Sequence, residues 1–339
     1  MSTKNIKKNK VTKLKNNFDK LEDLINSSSS LQNHTSLLIS LRYLKISDLD
    51  ASQLASVLAN CLNLSTLKLE LPGNQIGQNG VSDLGLSLTK CTNLQNLVVK
   101  LNQNPIGSKG IEGFMSALAQ CSNLSTLELY LAENQINGQD SQFLGSCLAN
   151  FQNLQSLKLN LNANQIGNEG ALNLGLGLTK CIQLLNLDLK LKYNKIDDQG
   201  LIDLSNSLTN CSKLTKLTIE LNQNYIGNKG QSCLGSALAH CKNLTNIKLN
   251  FFLNQIGGDW LSELGSGLAK CVNLSNLQIN VSRNSLENNE GISSFMTSLM
   301  GCSNLSTLHI ELAFCSFDEL QFHKKLYKIK KLVQYQMWC

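Results

Sequence analysis

Apolar residues along this chain follow two periods in turn, and the pair of periods recurs every thirty residues. In Leu67-Lys68-Leu69-Glu70-Leu71 the period is two, which predicts a strand with one buried face. At Val81, Leu84, Leu88 and Cys91 the spacing is three and four, which predicts a helix with one buried face. Between the two, Asn74 ends the strand and Ile76 returns to the core. Gly77 and Gly80 are expected to allow positive φ or close backbone approach. Asn93 and Leu94 are expected to begin the next strand. The asparagine keeps step at Asn74, Asn104, Asn134, Asn164, Asn194, Asn224, Asn254 and Asn284. Its amide can satisfy backbone groups of its own turn and of the next coil, so stacked copies would form a ladder.

Ten strands follow, centred on Ile39, Leu69, Val99, Leu129, Leu159, Leu189, Ile219, Leu249, Ile279 and Ile310. Neither strand nor helix can bury its apolar face alone, so successive coils must stack into a solenoid that is one quasi-linear domain. One parallel sheet is expected on the inner, concave side, with the helices outside and right-handed crossovers between.

The solenoid is expected over residues 31–317, with atypical ends. Residues 1–30 read as a basic segment with an amphipathic capping helix. Val11, Leu14, Phe18, Leu21 and Ile25 would share its apolar face, and Ser27 to Ser30 would end it. A helix that docks on a partner is the alternative for this segment. Residues 318–339 read as a C-terminal capping helix and tail, with Phe322, Leu326, Ile329 and Val333 at helical spacing. Within the array, Asp140 and Trp260 replace the second glycine, and Cys315 takes the last asparagine position.

The run Leu67-x-Leu69-x-Leu71-x-x-Asn74-x-Ile76, with Gly77, Gly80 and a helix ending in Cys91, resembles the ribonuclease-inhibitor-like leucine-rich repeat. The resemblance implies an α/β horseshoe and a role in protein recognition. Aligned on the asparagine, that family places its first two strand leucines at Thr66 and Leu69, whereas this chain has Leu64 and Leu67 as well. Each coil is therefore longer by about two residues, and a longer inner strand is one way to accommodate them. Some members of the family are GTPase-activating proteins. The resemblance thus implies, as an alternative function, regulation of a nucleotide-hydrolysing partner.

Charge is concentrated at the ends. Residues 1–20 hold seven lysines and one aspartate, and residues 318–339 hold five lysines and two acids, so a net charge of +6 leaves the body at −3. A near-neutral body argues against specific nucleic-acid binding along its length. Arginine occurs only at Arg42 and Arg283, which weighs against an arginine finger. Of the twelve cysteines, Cys61, Cys91, Cys121, Cys181, Cys211, Cys241, Cys271 and Cys302 fall at one place per coil, and Phe151 takes that place once. The slot needs an apolar residue, so the cysteines read as reduced core thiols of a cytoplasmic protein. No signal peptide and no transmembrane run is expected. The recurring sequons, such as Asn63-Leu64-Ser65, are then not glycosylated.

Chemistry is sparse. His34, His240, His309 and His323 belong to no triad pattern. The Gly77-x-x-Gly80 spacing lacks the phosphate-loop forms, and its recurrence marks a turn device. No cofactor or metal is expected, and the protein reads as a non-enzymatic interaction scaffold that binds a protein partner on the concave face, either free or as a subunit of a larger assembly. The candidate partner-binding residues are Tyr130, Tyr193, Phe252, Leu253, Arg283 and Phe314, because exposed aromatics and arginine are enriched at binding hot spots.

Overall fold

The computed structural model describes residues 17–229, 231–286, 289–313, 315 and 334–338. Strands β1 to β12 are Asn17–Phe18, Ser36–Ser40, Thr66–Glu70, Asn96–Lys100, Thr126–Tyr130, Ser156–Asn160, Asn186–Lys190, Lys216–Glu220, Asn246–Asn250, Asn276–Asn280, Thr307–Glu311 and Gln334–Trp338. They pair in sequence order as one sheet, each neighbour parallel. Helices α1 to α11 are Leu21–Asn26, Ser28–Leu31, Asp48–Leu58, Gln78–Leu88, Gly107–Leu118, Ser141–Ala149, Gly167–Leu178, Asp198–Leu208, Gln231–Leu238, Gly258–Leu268 and Asn289–Leu299. From β2 onward a helix follows each strand as far as β11, so the chain is a leucine-rich-repeat solenoid.

Register follows the repeat: Leu67 faces Leu97 and Leu69 faces Val99, while Leu277 faces Leu308 across the coil that carries one extra residue. Slipping by one residue would turn the leucines out, so their burial fixes the pairing. A single continuous core runs between sheet and helices, from Phe18 to Leu312 among the described residues.

Four ladders fasten coil to coil. At the buried asparagines, Asn164 Oδ1 accepts from the N–H of Asn134 and Ile136 of the preceding coil, at 3.1 and 3.0 Å. Asn164 Nδ2 donates to the carbonyls of Leu131 and Leu161, both at 2.9 Å. Asn74 and Asn224 do the same between their own coils. At the helix ends, each slot thiol from Cys91 onward points to a carbonyl of the preceding helix, as Cys241 does to Leu208 at 3.4 Å. Burial pushes these thiols up, Cys91 and Cys271 to about 12 and Cys61 and Cys241 to about 11.

The remaining two ladders lie on the opposite, exposed edge, where helix leads into strand. Asn63, Asn93, Asn123, Asn243, Asn273 and Asn304 donate through Nδ2 to a carbonyl of the coil before, as Asn123 does to Thr92 at 2.8 Å. Two residues later Ser65, Ser125, Thr215, Thr245, Ser275 and Ser306 donate a hydroxyl in the same direction. By sequence Asn63 and Asn243 read only as parts of sequons. Their side chains are in fact structural.

Several expectations are corrected. Every repeat strand is five residues and starts at Asn96 rather than Asn93. Leu64 and Leu94 are buried in the helix-to-strand link, so the longer coil lengthens the link and not the strand. Gly77 has φ −97, and its column reaches positive φ only at Gly107 and Gly167. Close approach is what Gly80 provides, because a Cβ there would stand 2.7 Å from Asp48 Oδ1 and 2.9 Å from the Ala51 Cβ. The recurring left-handed position is instead the residue before each asparagine, or before Leu44 in the first coil: Tyr43, Gly73, Gln103, Glu133, Ala163, Tyr193, Gln223, Leu253 and Arg283 all have φ between 52 and 64, and Lys45, Gln135 and Lys195 on the other side share it. Each residue of that recurring column donates its N–H to a carbonyl of the next coil, as Tyr193 does to Asn222.

At the N-terminus, Phe18 is not on a helix. It lies fully buried in β1, paired with Ile39, and the helix begins only at Leu21. The chain then breaks at Ser27 alone and makes one more helical turn over Ser28–Leu31. Val11 and Leu14 lie outside the described residues, as does the C-terminal helix expected through Phe322 and Val333. The end of the expected tail adds β12, whose Tyr335 faces Leu308.

Candidate functional site

Two surfaces flank the strands' ends, and they differ in what they leave unpaired. The first is the outward face of the sheet. Lys68, Val98, Glu128, Lys158, Asp188 and their neighbours occupy every second position along it. The charges on this face engage one another. Glu70, with a side chain only 3% exposed, holds Arg42, Lys68 at 3.0 Å and Lys100 at 2.9 Å. Burial alone would raise the Glu70 carboxyl, but the bonds from Lys100, Arg42 and Lys68 outweigh it and hold it at about 2. Lys158 pairs with Asp188 at 3.0 Å, and Lys190 and Lys248 both reach Glu220 at 3.1 Å. Burial opposes the shift at Glu220 too, yet its two lysines keep the carboxyl low. His309 Nε2 is 2.8 Å from Glu311.

Tyr130 belongs to this network. Its hydroxyl donates to Glu128 at 2.8 Å, and Lys100 and Lys158 lie 5.2 and 5.5 Å from its ring centre. Burial, and then the Glu128 bond, raise its phenol. Tyr130 is therefore half-buried and occupied rather than presented.

The second surface is the turn edge just past the strands. The left-handed backbone before each asparagine turns the side chain away from the core, and here the large exposed residues collect. Tyr193 is 61% exposed, Tyr225 57% and Leu253 41%. They line an open cleft of about 390 Å³ together with Lys195, Gln223, Gln255 and the rims of Asn164, Asn224 and Asn254. Beside it, Phe252 is half-buried and the Arg283 guanidinium lies 5.9 Å from its ring centre.

The structure thus brings Tyr193 and Leu253 together in one cleft, puts Phe252 and Arg283 side by side next to it, and separates Tyr130 onto the sheet face. Phe314 lies outside the described residues. Sequence reasoning missed Tyr225, Lys195, Gln223 and Gln255. The position after the asparagine is as exposed as the one before it, and reading both columns would have found Tyr225. Tyr43 presents a similar exposed ring, 68% exposed, in the first coil.

The histidines hold no catalytic arrangement among the described residues: His34 is buried, His240 Nδ1 meets the Ser236 carbonyl, and His309 meets Glu311. His323 lies outside them. Among the described residues no group of three or more His, Cys, Asp or Glu side chains is placed to hold a metal, and no helix is long and apolar enough to cross a membrane. Among the described residues eleven cysteines are free thiols, nine of them buried.

No protein-family model matches the chain, and no curated protein matches it. Among solved structures it is similar to internalin C2 from Listeria monocytogenes at 19% identity, with a TM-score of 0.41 over 68% of this chain and 84% of that one. Overlap at that level carries no argument, and the fold assignment rests on the sheet order and the ladders.

Proposed function

We propose that this chain is a non-enzymatic interaction scaffold, of the ribonuclease-inhibitor-like kind, that binds a protein partner along its concave sheet face and the adjoining turn edge. Strands in a sheet stand about 4.8 Å apart, whereas packed helices need roughly 8–10 Å. Stacking βα coils therefore bends the array toward the sheet, which makes that face the inner one. A rigid, preformed concavity offers a large area with little ordering cost on binding.

The observation that carries the reading is the contrast between the two surfaces. The sheet-face charges pair with one another, while Tyr193, Tyr225 and Leu253 stand exposed at its border beside Phe252 and Arg283. Paired charges supply orientation and a polar rim. Aromatic and apolar groups supply most of the affinity. The buried, proton-holding thiols fit a reducing, cytoplasmic setting.

The test is purification of the tagged protein from its own cells in mild salt, beside two folded variants. One carries Tyr193→Ala with Phe252→Ala, and the other Leu86→Ala with Leu176→Ala on the helix face. The reading expects a stoichiometric partner that the first variant loses and the second keeps. A partner lost only by the helix-face variant, or none at all, would contradict it.

A further inference from the structure

We propose that the cleft at Tyr193, Tyr225 and Leu253 receives an extended, proline-containing segment of the partner that carries a carboxylate. The inference rests on the scaffold reading for its setting and adds the chemistry of what is bound. The cleft measures about 390 Å³. That is near the low end for ligand sites and far less than a globular partner needs, so it suits a few residues of one extended chain.

Its walls favour proline. Two tyrosine rings on adjacent coils are exposed by 61% and 57%, and neither phenol has a hydrogen-bond partner among the described residues. A polyproline helix has no internal hydrogen bonds and turns its carbonyls outward. Grooves lined by aromatic rings bind such segments by stacking on the pyrrolidines and donating to those carbonyls. Leu253 offers an aliphatic floor, and the amides of Gln223 and Gln255 offer further donors. The platform is held rigidly. Tyr193 and Leu253 sit in left-handed backbone at φ 61 and 55, and each N–H is tied to the next coil.

Charge selects the second feature. Among the described residues Lys195 is the only charged one lining the cleft, and Lys192 is exposed beside Tyr193. Neither ammonium has an ion pair among the described residues. The nearby acids are engaged elsewhere: Asp197 accepts from the N–H of Gln199 at 2.8 Å, and Asp198 from those of Gly227 and Lys229 at 2.8 and 3.1 Å. Both stand at the N-terminal end of α8, where the helix dipole offsets their charge. A carboxylate next to the proline would find the lysines available.

The experiment is selection of a random dodecapeptide display library on the immobilised full-length protein, counter-selected on the Tyr193→Ala/Tyr225→Ala variant. Enriched peptides are then made and titrated by fluorescence anisotropy at low and at physiological salt. The expected outcome is enrichment of peptides with proline and an adjacent Asp or Glu. Loss of both tyrosines should weaken them at least about tenfold. Lys195→Glu should weaken them several-fold, with less salt dependence than the wild type. Denaturation midpoints of both variants, if close to wild type, show that the fold is kept. Enrichment indifferent to the tyrosines, or of basic or proline-free peptides, overturns the inference. If that happens while Tyr193→Ala/Phe252→Ala still loses the native partner, the peptide chemistry fails and the scaffold reading stands.

Discussion

Replacing Asn164 by alanine removes one rung of the buried ladder and leaves a definite set of groups without partners. The N–H groups of Asn134 and Ile136 lose their acceptor and the Leu131 carbonyl loses its donor, whereas the Leu161 carbonyl keeps the Asn194 amide at 2.9 Å. A buried polar group stranded in this way costs about 1–3 kcal/mol. The site is 6% exposed, so water can reach part of it, and the three losses are not additive. We expect a total of about 3–5 kcal/mol from these terms. Asn123→Ala is the internal control. It breaks one hydrogen bond of 2.8 Å on an exposed edge where water substitutes, so it should cost about 0.5–1 kcal/mol. Urea unfolding followed by circular dichroism compares the two. Because each coil touches only its neighbours, a broken rung at mid-array should also split the transition into two. Equal midpoint shifts for the two variants would refute the claim that the buried asparagines, and not the array as a whole, lock the coils.

Other consequences follow from single groups. A thiol reagent at pH 8 should label Cys233 and Cys315 ahead of the ladder thiols, which should react only after urea is added. Prompt labelling of all the thiols in the folded protein would contradict their burial. The same thiols have folded pKa values raised from 9.0 to about 11–12, so the unfolded chain loses protons first. Their contribution to stability should be complete below pH 9 and should fade as pH rises through 11 and 12, visible as a falling urea midpoint. Glu70 works in the other direction. Its pKa is lowered from 4.5 to about 2, so its contribution is present above pH 4.5 and lost as pH falls toward 2. Glu70→Gln should flatten that part of the acid unfolding profile and leave Arg42, Lys68 and Lys100 repelling one another at neutral pH. Trp260, fully buried and 4.7 Å from Phe251 edge to face, should give blue-shifted emission, and Trp260→Ala should cost about 3–5 kcal/mol.

The sheet, the core face of the helices, the asparagine ladder and the thiol slot were all legible in the sequence, because each is a residue type repeated at a fixed period. What was not legible depends on contacts between coils that no single coil contains. Phe18 fits a helical spacing as well as any residue in its segment, and only the unpaired edge of β2 makes it a strand. The left-handed turn before each asparagine is occupied once by Gly and otherwise by Tyr, Gln, Glu, Ala, Leu and Arg, so composition gives little sign of it. The backbone bond to the next coil imposes it. Asn123 and its equivalents stand in an exposed link where asparagine is unremarkable by type, and their role shows only in the carbonyl one coil away. The sheet-face columns alternated in sign, but that Glu70 would gather three cations and Glu220 two required the thirty-residue offset between facing strands. The candidate site was half legible: Tyr193 and Leu253 stand out in sequence as large residues just past the strands, whereas Tyr225 stands on the other side of the asparagine and does not.

The most direct test of the account is site-specific photocrosslinking in the native cell. A benzophenone side chain is placed at Tyr193 in one strain and at Leu86, on the helix face and 56% exposed, in another. The account predicts one discrete protein adduct from position 193 and none from 86. An adduct from 86 with none from 193 would put the partner on the helices and contradict the assignment of the binding surface.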